Sequence, residues 1–74
     1  VGIAVSGSDL FVSNFAIGTI GEYTTVGDTV NPALISGLIG PVGIAVSGSD
    51  LFVSKFYNGT IGEYTTAGDT VNPP

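Results

Sequence analysis

The chain is two copies of one motif. Setting residue 1 against residue 42 and running on to residue 33 against residue 74 leaves 28 of 33 aligned pairs identical. The five that differ are Asn14/Lys55, Ala16/Tyr57, Ile17/Asn58, Val26/Ala67 and Ala33/Pro74. A period of 41 residues constrains the architecture more than any other feature. A unit of that length cannot bury both of its own faces, so it is stable only when stacked on a neighbour. The first copy, residues 1–41, carries a further segment, LISGLIGP, at residues 34–41; the second, residues 42–74, stops before its equivalent.

Within each copy the local signals are those of strands. GIAVS at residues 2–6 is short and β-branched, GSD is a turn, and LFVSNF at residues 10–15 is a second strand, together a tight hairpin. TIGEYTT at residues 19–25 places Ile20, Glu22 and Thr24 on one face and Gly21, Tyr23 and Thr25 on the other. VGDTVNP reads as loop, with Asp28 and Asn31 suited to local turns, and ALISGL at residues 33–38 reads as the fourth strand. No window carries helical periodicity, and 12 glycines among β-branched residues would make a poor helix. The expected fold is all-β: a four-stranded antiparallel unit followed by a three-stranded one that lacks its outer strand. In the second strand Leu10 and Val12 point one way while Phe11 and Phe15 point the other, so both faces of the sheet need cover, as β-propeller blades flanked by blades receive it.

Composition removes most chemistry. There is no cysteine or histidine, hence no disulfide, no thiolate or imidazole metal site, and no Cys or His nucleophile or base. Six acids against the single base Lys55 give a net charge of −5, which offers nothing to a nucleic-acid backbone or an anionic membrane surface. The uncharged run at residues 29–49 is long enough to raise a membrane helix, but Pro32, Pro41 and four glycines break it. The chain opens on Val1 with no charged and apolar leader, so it reads as a processed or excised piece.

The string P-x-G-I-A-V-x-G-x-x-L-F-V-S-x-F, at residues 41–56 and again without its proline at residues 1–15, resembles the repeat of NHL-type β-propellers. It is most similar to versions in secreted bacterial proteins, where GTIGEYTT-like third strands and LISGL-like fourth strands recur. The resemblance covers essentially the whole chain. It implies propeller blades, an extracellular or cell-surface location and a binding scaffold for proteins, RNA or carbohydrate; some relatives are lyases or hydrolases, but none of their catalytic residues maps onto this chain.

The acidic residues have ordinary readings. Asp9 and Asp50 sit in the SGSD turns, and Asp28 and Asp69 in GDTVNP, where aspartates accept backbone hydrogen bonds; no D-x-D-x-D calcium spacing accompanies them. Glu22 and Glu63 come one per repeat, without the close pair that glycoside hydrolysis needs. No catalytic residue, metal or cofactor is expected. Phe11, Phe15, Phe52 and Phe56 are the expected inter-blade core. Lys55, Tyr57 and Asn58 form the one place where the second copy gains cationic, aromatic and polar character together, so they mark the candidate ligand or partner loop. Asn58-Gly59-Thr60 also matches a glycosylation sequon, although Asn-Gly is equally a hairpin-turn dipeptide. The third strand of the second copy, including Thr60, Ile61, Glu63 and Tyr64, is expected to be an unpaired edge covered by another molecule. The functional expectation is a non-enzymatic, self-assembling scaffold whose partners are copies of itself or further blades of a longer chain. The alternative is a subunit of an extracellular filament built from the same contacts.

Overall fold

The computed structural model describes residues 2–73. It is all-β, with no helix among the described residues. Two four-stranded antiparallel sheets follow one another along the chain. The first is β1 (Ile3–Ser6), β2 (Asp9–Asn14), β3 (Thr19–Thr24) and β4 (Thr29–Ile35); the second is β5 (Pro41–Ser47), β6 (Asp50–Lys55), β7 (Thr60–Thr65) and β8 (Thr70–Asn72). Each sheet is an up-and-down meander in sequence order. The central registers repeat faithfully: Phe11 pairs with Glu22 as Phe52 pairs with Glu63, and Leu10 with Tyr23 as Leu51 with Tyr64.

The outer strand corrects the sequence reading. It begins at Thr29, inside the stretch expected to be loop, and ends at Ile35. Thr24, Gly27 and Asp28 close a tight turn that starts it early. The Thr24 amide donates to the Asp28 carbonyl (2.8 Å), the Asp28 amide donates to Thr24 Oγ1 (3.1 Å), and Gly27 takes φ 96°, a left-handed conformation open to glycine. Pro32 is accommodated because this strand lies at the sheet edge, where a missing N–H breaks no ladder, and the register shifts around it. The same turn recurs at Thr65, Gly68 and Asp69. The second sheet therefore has four strands, not three: β8 covers β7 through Glu63↔Asn72 and Tyr64↔Thr70. Glu63 and Tyr64 are thereby paired on both sides, which removes the expected open edge there, whereas the three-residue β8 does not extend its pairing to Thr60 and Ile61.

The sheets stack face to face. Phe11 and Ile20 of the first, with Ile35 from its outer strand, meet Leu51, Val53 and Tyr64 of the second, and Leu34, Leu38, Ile44 and Val46 pack around them. Between the sheets, residues 36–40 are tied at both ends: the Leu38 amide donates to the Gly18 carbonyl (2.9 Å) and the Phe56 amide to the Gly40 carbonyl (2.8 Å). Nearest the start of each sheet, Ser13 locks β2 to both inner strands. Its Oγ accepts from the Gly2 amide (2.7 Å) and donates to the Val42 carbonyl (2.7 Å).

Only part of the expected phenylalanine core lies between these sheets. Phe11 is 1% exposed, whereas its repeat equivalent Phe52 is 37% exposed, Phe56 is exposed and Phe15 half-buried. The inner face of the second sheet is the one bearing Leu51, Val53 and Tyr64, so Phe52, between Leu51 and Val53 in the strand, points away from the first sheet. Phe11→Ala should cost about 3–5 kcal/mol, and Phe52→Ala under about 1.5 kcal/mol in the dissociated chain. Urea denaturation of the two variants at low concentration checks this, and equal costs would contradict the packing.

Candidate functional site

Two places stand out on the surface: the loop end of the second sheet, where the repeats diverge, and the two outer sheet faces.

At the loop end the three candidate residues part company. In the β6–β7 turn the Gly59 amide donates to the Lys55 carbonyl (3.1 Å), with Gly59 at φ 63°, so the Asn-Gly pair acts as turn chemistry. Asn58 stays in solvent. Tyr57 turns back onto Phe15 (ring centroids 5.7 Å) and Phe56 (5.4 Å), with its ring over Gly40, where an added Cβ would fall 2.7 Å from it. Phe15 and Phe56 stand edge to face at 6.5 Å, which completes a three-ring cluster across the ends of both sheets. Lys55 turns inward, 9% exposed, and its Nζ donates to the Pro73 carbonyl. Lys55 and Asn58 also line a cavity of about 270 Å³, with Ser36, Leu38, Tyr64 and Thr70 among its walls. The structure thus brings two of the three loop residues to one cavity, while Tyr57 rests one side of its ring on its aromatic neighbours and stays 67% exposed.

The Asn14/Lys55 difference has a local cost. In the first repeat Asn14 Nδ2 donates to Thr19 Oγ1 at 3.0 Å across the strand pair. In the second, Lys55 stands opposite Thr60, and Thr60 Oγ1 is buried without a hydrogen-bond partner among the described residues.

The carboxylates do not converge on a metal: among the described residues no three acids form a group able to hold an ion. Glu22 is set apart electrostatically. It lies half-buried on the same face as Phe11, and burial, followed by the nearby Asp9 carboxylate, pushes its pKa above the ordinary value.

The outer faces are the larger feature. On the first sheet, Ile3 and Val5 are 61% and 59% exposed, beside half-buried Leu10, Val12 and Tyr23. On the far side of the molecule, the second sheet presents Ala45, Phe52 and Ile61, with Ile61 63% exposed, around a shallow groove that Gly43, Ile44 and Ser54 complete. Sequence reasoning saw that both sides of each sheet are apolar. It missed Leu51, Val53, Tyr64 and Ile20 as core because alternation names two faces without saying which one is covered.

Comparison of the chain with protein-family models, with curated proteins and with solved structures finds no match in any of the three.

Two tests follow from this geometry. Because the folded state raises the Glu22 pKa, it disfavours the ionised form: the penalty is full at neutral pH and fades as pH falls through the raised value. Glu22→Gln is expected to be more stable than the parent at pH 7, with the gap narrowing toward the acid range; a gap independent of pH contradicts the assignment. Lys55→Asn restores the donor that Thr19 has in the first repeat. It should stabilise by about 0.5–1.5 kcal/mol in chemical denaturation, and a loss of stability would show that the lysine contact to Pro73 is the stronger one.

Proposed function

We propose that the chain is a non-enzymatic repeat module, a pair of β-propeller-type blades that works by association as a self-assembling interaction scaffold. The observation that carries this reading is the pair of apolar faces left open on opposite sides of the molecule. Burying a Val, Leu, Ile or Phe side chain fully contributes about 1.5–3 kcal/mol, and in the single chain Ile3, Val5 and Ile61 forgo more than half of that and Phe52 a smaller part. Contiguous exposed apolar surface of this kind marks a contact with another macromolecule. The blade reading draws on two four-stranded meanders stacked in chain order and on the NHL-like repeat string. Partners in this reading are copies of the chain or further blades of a longer one, and the acidic surface disfavours nucleic acid and anionic membranes. An extracellular or cell-surface setting belongs to the same proposal through the likeness to secreted bacterial repeats.

A filament is the second reading, and it uses the same contacts. The two open faces differ from one another and point in opposite directions, so association through them is head-to-tail; it closes into a ring if the rotation per chain completes a circle and propagates if it does not. Negative-stain microscopy separates discrete particles from fibres.

Association held by apolar burial should survive molar sodium chloride and give way in urea. Sedimentation velocity across a concentration series is expected to show species heavier than the single chain under both low and high salt. A single chain at every concentration would remove the proposal, and dissociation by salt alone would assign the contact to ion pairs.

A further inference from the structure

The two repeats share the sequence DLFVS, yet it is buried with opposite parity in the two sheets. In the first, Phe11 and Ser13 are buried and Leu10 and Val12 only partly; in the second, Leu51 and Val53 are buried while Phe52 and Ser54 are exposed. The third strands agree: Ile20 and Tyr64 are buried, while their counterparts Ile61 and Tyr23 are exposed and half-buried. The inner strands follow, since Ile44 and Val46 pack against the core while Ile3 and Val5 lie in solvent. Each sheet therefore has a phenylalanine face and a leucine face, and the internal joint is one phenylalanine face laid on one leucine face. What remains open is the other leucine face, on the first sheet, and the other phenylalanine face, on the second.

Resting on the association proposed above, we infer that the joint between chains is a copy of the joint inside the chain: the phenylalanine face of the second sheet seats on the leucine face of the first sheet of a second copy. The occupant of the groove around Phe52, Ser54 and Ile61 is then the surface of Ile3, Val5, Leu10, Val12 and Tyr23. The complementarity is already realised once within the molecule, by nearly the same residues. At the internal joint the Ser13 hydroxyl accepts from its own inner strand and donates across to the Val42 carbonyl at 2.7 Å. Ser54 makes the same first contact, accepting from the Gly43 amide at 2.9 Å, but its hydroxyl donates only over a long 3.4 Å contact to the carbonyl of that same Gly43. Its proton is available to a carbonyl across the new joint. The divergent positions make the joint between chains the lighter of the two, because Phe56 would meet Ala16 where Phe15 meets Tyr57.

A face-blocking pair tests this. Val5→Glu closes the leucine face and Ile61→Glu closes the phenylalanine face; both side chains are mostly exposed in the single chain, and circular dichroism verifies that each variant folds. Either variant alone is expected to sediment as a single chain at concentrations where the parent associates, and an equimolar mixture is expected to form a one-to-one dimer that grows no further. If Val5→Glu alone still dimerises, phenylalanine faces pair with each other; if Ile61→Glu alone does, leucine faces pair. Either result, or a parent that associates while the mixture stays monomeric, overturns the inference and leaves association itself standing. A parent that never associates overturns both.

Discussion

The structure depends on one constraint: each small sheet has two apolar faces, and stacking two sheets covers only one face of each. The interior formed by Phe11, Ile20 and Ile35 against Leu51, Val53 and Tyr64 is what holds the molecule together. The opposite faces have the same composition by repetition and are left against water. A free side chain on those faces is not a flaw of local design, since the counterparts of Leu10, Val12, Phe52 and Ile61 are core residues and those of Ile3 and Val5 pack against the core in the same chain. A unit whose surface is a second copy of its own interior is stable and soluble only to the extent that something covers it.

Polar contacts fix how the sheets meet. Ser13 joins β2 to two inner strands at once, and Gly2 makes room for that approach: a Cβ there would lie 2.3 Å from the Val42 carbonyl oxygen. At the other end, Gly18 receives the Leu38 amide and sits so close to that residue that no side chain fits. These contacts set the spacing and direction of stacking, while the apolar side chains between them provide the driving force.

Three of the five differences between the repeats, Asn14/Lys55, Ala16/Tyr57 and Ile17/Asn58, fall together at one loop end of each sheet. Tyr57 in place of Ala16 lays a mostly exposed ring against Phe15 and Gly40 at the end of the internal joint. Lys55 in place of Asn14 exchanges a cross-strand hydrogen bond for a reach to Pro73, and among the described residues the Thr60 hydroxyl finds no partner. At this loop end the second unit therefore differs from the first in its packing, and the single lysine is held inward on the Pro73 carbonyl.

The sequence by itself determined the repeat, the all-β class, the inner three strands of each unit and the two-faced character of the sheets, because these follow from period-two alternation and from short-range turn chemistry. It also disclosed the loop where Lys55 and Asn58 come to share a cavity. It misplaced the outer strand: Asp28, Asn31 and Pro32 read as loop chemistry, whereas the Thr24–Asp28 hydrogen bonds and the tolerance of an edge strand for proline carry the sheet through them and give the second unit its β8. Only the tertiary structure decided which face of each sheet is interior. Phe11 and Phe52 are the same residue in the same local sequence, and one is core while the other meets solvent, because burial depends on which side a neighbouring sheet occupies and a strand carries no record of that in its own alternation.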